Sequence, residues 1–198
     1  MIVLFAFVVV VAAVPLTGGD LRRVAAIRLR MPWLIAVTFV GQVLVTDVFA
    51  TQLAGTPGAI LHVITYVAAF AFMWLNLHVR GLWLIVLGGF MNFVAIVANG
   101  GVMPTTEWAL ETAGAEEATD DEFRNSGLVD DARLVFLGDF LAIPEPLPLA
   151  NVFSIGDVVL VIGVGVVVHT QARRPDEEDP EGGAAVGSAA RVRRPPVL

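Results

Sequence analysis

Residues 150–169 read "ANVFSIGDVVLVIGVGVVVH". A single aspartate and a closing histidine interrupt an apolar stretch rich in valine. A run of about 20 residues is what a helix needs to cross a hydrocarbon core of ~30 Å, whereas a buried strand stops after roughly 4–8. The length therefore selects a membrane-crossing helix.

Working outward, apolar runs recur at residues 1–16, 32–53, 58–79 and 81–98. The chain has 198 residues, 57% hydrophobic and 16% charged, with a mean hydropathy of +0.78; soluble domains hold roughly 45–50% apolar residues. The expected fold class is an all-α integral membrane protein with five transmembrane helices. The first run lacks a basic leader, so it is read as a retained span and not as a cleaved signal.

All 12 basic residues are arginines. Arg22, Arg23, Arg28 and Arg30 follow the first run, Arg80 lies between the third and fourth, and Arg173 and Arg174 follow the last. Basic loops stay cytoplasmic, which places the N-terminus outside and predicts a multi-pass protein of the plasma membrane. Trp33, Trp74 and Trp83 then all fall near the inner interface, where an indole buries its ring and keeps its N–H wet. Residues 1–170 form the transmembrane domain, and 171–198, rich in Pro, Gly and charge, a disordered cytoplasmic tail.

Eleven of the 19 acids lie between Glu107 and Glu145, so the net charge of −7 belongs to one external loop, about residues 100–149. No clustered basic surface suits a nucleic acid. With no cysteine there is no disulfide framework or thiolate metal site. The acidic loop lacks the ligand spacing of an EF-hand, so it is read as solvated; no cofactor and no metal are expected. The partners expected are the bilayer and a membrane-embedded peptide or lipid ligand.

Ionisable side chains are costly inside a membrane and usually face protein or water. Asp47, His62 and Asp157 each sit a few residues from the outer end of their spans, within about 10 Å of the surface at ~1.5 Å per residue. Asn99, Gly100 and Gly101, in "ANGGVMP", join that layer, and Asn92 lies two turns below. Together they predict an outward-facing polar site, although each residue alone is better read more simply, Asp47 and His62 as a pair or as reaching the interface and Asn92 as interhelical glue.

Upstream of the last span, "FLGDFLAIPEPLP" sets Gly138 and Asp139 before a proline run that is expected to extend back toward the membrane. This re-entry segment would bring Asp139 over Asp157, near Ser154 and Gly156. Two carboxylates sharing a low-dielectric site hold one proton between them and can act as acid and base toward a water. The alternative is that Asp157 caps a helical break near Gly156 and Asp139 is an ordinary turn residue.

The blocks "NGGVMP", "FLGDFLAIPEPLP" and "SIGDVVLVIG", in this order, resemble a bacterial family of polytopic membrane proteins known only as a domain of unknown function. The resemblance implies no activity. A local resemblance runs to lipoprotein signal peptidases: "LGDF" is similar to the patch around their first catalytic aspartate, and "FSIGDVVL" to that around their second. It implies catalytic roles for Asp139 and Asp157. Those enzymes have four spans, and their Asp-Arg pair has no counterpart here. Three readings follow: a non-catalytic ligand- or partner-binding membrane module, an intramembrane aspartyl peptidase, and a proton- or cation-coupled carrier using Asp47, His62 and Asp157.

Overall fold

The computed structural model describes residues 2–115 and 123–173. It is mostly helical. Five apolar helices stand where the five runs were read: α1 (Ile2–Leu16), α3 (Pro32–Val43, prolonged by a π turn, Leu44–Val48), α4 (Thr56–Leu75), α5 (Leu82–Ala98) and α7 (Ile155–Ala172). Two of them, α4 and α7, are long and apolar enough to cross a membrane, and the other three are shorter. The second run ends five residues early because the π turn gives way to turns before α4 begins at Thr56.

The short α2 (Leu21–Ala25) occupies the basic connector, with Asp20 as its N-cap accepting from the Arg22 amide at 2.8 Å. It folds back on α7, where the Asp20 amide donates to the Ala172 carbonyl. Of the tail, residues 171–173 continue from α7; residues 174–198 lie outside the described residues.

The helices neighbour one another in the order α3, α4, α5, α7, α1, so the last helix is inserted beside α5 and the first packs on its far side. The closest approach joins α5 to α7, and glycines permit it. A Cβ on Gly88 would lie 2.6 Å from the Gly156 carbonyl, and one on Gly163 2.7 Å from the Ile85 amide. Between α4 and α5 the filler is aromatic, with Phe70 edge-on to Phe93 at 5.3 Å and Tyr66 tilted on Phe93.

Buried apolar residues form small clusters between neighbouring helices, such as Phe72, Met73, Val79 and Leu82. Large apolar side chains cover the outer faces instead: Phe39, Trp74 and Trp83 are all more than half exposed. Soluble proteins rarely expose contiguous apolar surface of this kind.

Both ends of the layer are tied by the same device. Asn76, after α4, accepts from the Arg30 amide at 2.7 Å and donates to the Arg30 carbonyl at 3.0 Å. Asn99, after α5, makes the same pair of bonds to the backbone of Arg133, both at 2.8 Å. In each case the carboxamide replaces a missing strand partner for one loop residue.

The segment between α5 and α7 folds as a small cap. β1 (Met103–Pro104) runs parallel to β2 (Ser126–Gly127), and α6 (Glu107–Ala113) packs on β3 (Leu141–Ile143) and β4 (Asn151–Phe153). β3 and β4 pair antiparallel, with Leu141 opposite Phe153 and Ile143 opposite Asn151. The proline run therefore does not extend back to the membrane as the sequence suggests; it is the connection of a hairpin, and α7 starts at Ile155, after β4. Prolines lack an amide donor, and here they occupy the loop while the strands on either side supply the ladder. Residues 116–122, part of the acidic loop, lie outside the described residues.

Candidate functional site

The hairpin delivers the two Gly-Asp pairs to one end of the layer. Asp139 stands two residues before β3 and Asp157 follows β4 by four, so the folding-back expected from the sequence occurs, by strand pairing. Both carboxylates lie within electrostatic reach of the Tyr66 phenol. No hydrogen bond joins them among the described residues.

Asp157 is the third residue of α7 and closes a reciprocal capping box. Its amide donates to Ser154 Oγ at 3.0 Å, and its Oδ2 accepts from the Ser154 amide at 3.0 Å. Two of the orphan amide donors at this helix start are satisfied in this way. Its Oδ1 accepts from Asn92 Nδ2 at 2.9 Å, while the fully buried Ser154 Oγ donates to Asn92 Oδ1 at 2.9 Å. Asn92, Ser154 and Asp157 thus form a closed ring of bonds across α5 and α7. Gly156 makes room for it, since a Cβ there would run into Asn92 Oδ1.

Asp139 lies in the cap and is 5% exposed. Its amide donates to the Pro104 carbonyl, its carbonyl accepts from Thr105 Oγ1 at 2.8 Å, and its Oδ2 accepts from Ser126 Oγ at 2.5 Å. Burial pushes the carboxyl up to about 6; the Ser126 hydrogen bond opposes the rise and the nearby Asp157 charge adds to it. Gly138 is pressed against the Pro104 carbonyl, leaving no space for a side chain.

His62, fully buried on α4, places Nδ1 2.9 Å from the Gly101 carbonyl. A carbonyl only accepts, so Nδ1 carries the proton. Among the described residues Nε2 has no hydrogen-bond partner, and the ring packs edge-on against Tyr66 and Phe123. Gly100 and Gly101 have φ of 71° and 100°, a region glycine enters freely, and this turn aims the Gly101 carbonyl at the histidine. Asp47 is exposed in the π turn and accepts from Thr46 Oγ1 at 2.7 Å. It does not pair with His62.

The residues marked in the sequence therefore fall into three groups at one end of the helix layer. Ser154, Gly156 and Asp157 brace α5 and α7; Gly138 and Asp139 belong to the cap; Asn99, Gly100, Gly101 and His62 lie where α5 meets α4. Asp47 stands apart. Thr105, Ser126 and Tyr66, which the sequence did not single out, complete the network.

Beside the third group opens a cleft of about 670 Å³ between α4 and residues 123–128 of the cap. Its deeper wall is apolar, with Ile60, Val63, Ile64 and Val97, and its rim carries Gly100, Gly101, Arg124 and Ser126. Ligand sites of this size are lined mainly by apolar groups with a few polar ones to fix orientation. Asp139 and Asp157 are not among its lining residues.

A family of unknown function, DUF5317, matches residues 26–169. The chain is similar to an uncharacterized protein of Thermotoga maritima, 25% identical over 146 residues that cover 74% of this chain and 78% of the relative. No solved structure matches it. The match to the family takes in the apolar helices from α3 onward, the cap and both Gly-Asp pairs, and the chain belongs to DUF5317, a family without an established activity.

Proposed function

We propose that this chain is a five-span plasma-membrane protein, N-terminus outside, that acts as a non-catalytic binding module through its outward-facing cleft. The membrane reading is supported by the apolar belt on the outer faces of the helices. The alternation of their ends supports the topology: the end of α1 meets that of α7, where Thr17 Oγ1 lies 3.0 Å from His169 Nδ1, and the end of α5 meets the start of α4. The arginines at 22–30, 80 and 173 then share one side.

The observation that carries the binding reading is the division of labour at the outer end. Both oxygens of Asp157 serve the capping box and Asn92, so the polar network braces the helices, while the open space lies elsewhere, between α4 and the cap. A carrier using Asp47, His62 and Asp157 would need them to line one path. The three are in separate surroundings.

The test is to purify the full chain in mild detergent and identify small molecules that stay bound, by mass spectrometry after denaturation. The wild type should retain a ligand that Ile60→Trp, which fills the cleft, releases. Equal retention by both, or none by either, would count against the cleft. The peptidase reading draws on the raised Asp139 carboxyl; cleavage of a membrane protein by wild type and not by Asp139→Asn would favour it.

A further inference from the structure

We infer that the occupant of the cleft is an uncharged lipid bearing a hydroxyl group, its chain on the apolar wall of α4 and its hydroxyl donating to His62 Nε2. This rests on the binding reading given above and names the ligand class for the same cleft.

His62 is fully buried and lies one side chain behind the cleft wall. The Gly101 carbonyl that fixes Nδ1 belongs to a lining residue. Phe123, edge-on to the imidazole with ring centroids 5.6 Å apart, is another, and so are Ala59 and Val63 on the same helix. Because Nδ1 carries the ring proton, Nε2 presents a lone pair. That lone pair has no hydrogen-bond partner among the described residues, and a buried acceptor left unpaired costs free energy. The imidazole therefore offers an acceptor where an apolar side chain would pack without that cost. Turning the Phe123 ring aside joins it to the cleft.

The site selects a donor without charge. Ionised phosphate and carboxylate groups present only acceptors to an acceptor. An ammonium would be stripped of water among Ile60, Val63, Ile64 and Val97, which is costly for a charge. An amide N–H brings a carbonyl that needs a donor of its own, whereas a hydroxyl satisfies Nε2 with a single proton.

Depth and access point to a lipid. His62 stands six residues after Thr56, where α4 begins, about 9 Å at ~1.5 Å each. A hydroxyl at that depth finds no partner in hydrocarbon, so an acceptor there holds it. The wall beside it is continuous with the lipid-facing surface: Ile60 is 55% exposed, Ile64 54% and Val97 49%. A chain enters sideways from the bilayer without crossing a polar barrier.

The experiment uses the full chain in a neutral detergent that has no hydroxyl group, with 1-hexadecanol and hexadecyl methyl ether as probes, which share a chain and differ in the donor. Native mass spectrometry should find the alcohol retained about three- to tenfold over the ether, the scale of a neutral hydrogen bond. His62→Leu should hold the two alike, and Ile60→Trp should release both. If Ile60→Trp releases both while the wild type holds them alike, or while His62→Leu still prefers the alcohol, the cleft binds lipid and the assignment to His62 fails. If Ile60→Trp changes neither, the cleft is not the site and the binding reading fails with it. A second measurement reads the wild type directly. In the chain labelled with 15N-histidine, the Nε2 resonance of His62, assigned by its loss in His62→Gln, should be that of a free lone pair before lipid is added, and should move upfield with the alcohol and not with the ether. A resonance already shifted without lipid would show that a donor inside the protein or a buried water holds Nε2, and would overturn the inference.

Discussion

Asn92 Nδ2 donates to Asp157 Oδ1 at 2.9 Å, joining α5 to α7 across 65 residues of sequence. The same carboxamide accepts from Ser154, and the same carboxylate accepts from the Ser154 amide. Removing one member strands the others in a buried setting, where an unsatisfied polar group costs about 1–3 kcal/mol.

Asn92→Ala is therefore expected to lower the melting midpoint in detergent more than Ser154→Ala. It leaves the buried Ser154 hydroxyl without an acceptor for its proton and Asp157 Oδ1 without its donor, whereas Ser154→Ala removes the cap and leaves the Asn92–Asp157 bond in place, at a cost of about 0.5–2 kcal/mol. The double variant should cost less than the sum of the two, because the groups share partners. Thermal melts of the three proteins test the order.

The glycines at the α5–α7 contact make a second, purely steric prediction. Gly156→Ala and Gly88→Ala add a Cβ where Asn92 Oδ1 or the Gly156 carbonyl already stands, and overpacking of this kind costs roughly 1–3 kcal/mol. Gly165→Ala meets its nearest neighbour at 3.8 Å, an ordinary contact. It should be neutral, or stabilising by up to ~1 kcal/mol through helix propensity. The folded fraction that survives heating separates the two classes.

Asp139 makes the stability of the cap depend on pH. Its carboxyl is raised from 3.8 to about 6, so between these values the folded chain holds a proton that the unfolded chain releases. The contribution of this group is fully present below the unfolded value and falls as the pH rises through the folded one. Asp139→Asn, which still offers Ser126 an acceptor, should gain on the wild type from about pH 4 to pH 7. The gain should reach a few kcal/mol at most, at ~1.4 kcal/mol per unit. Paired melts at the two pH values check the sign; an unchanged difference would place the titration elsewhere.

The orientation can be tested directly because the chain has no cysteine of its own. A membrane-impermeant maleimide should label Glu107→Cys on intact cells and reach Arg80→Cys only after permeabilisation. The reverse pattern would invert the topology, and labelling of both on intact cells would remove the spans between them.

Helix positions were legible because apolar composition alone determines them. Length was less so: the π turn and the early end of α3 follow from local backbone geometry around Asp47 that hydropathy does not register. The capping role of Asp157 was open in the sequence as one of two alternatives, with Ser154 three residues before it. The hairpin was not, since a proline-rich stretch reads as extended chain until the strands flanking it are seen to pair. Thr105 and Ser126 were invisible for a different reason. Their bonds to Asp139 span 34 and 13 residues, and no spacing rule connects them. His62 was marked in the sequence as a polar residue within its helix, but its partner, the Gly101 carbonyl, lies 39 residues away and no spacing rule names it.

The neighbour order α3, α4, α5, α7, α1 has a consequence for biogenesis. α1 has its principal packing partner in α7, so it lacks that contact until α7 has been made, when α3, α4 and α5 can already have packed. Gly19, pressed between Val14 and Ala172, cannot reach that packing until α7 has emerged. Shortening α7 from its end would therefore leave α1 undocked while the middle helices stay paired.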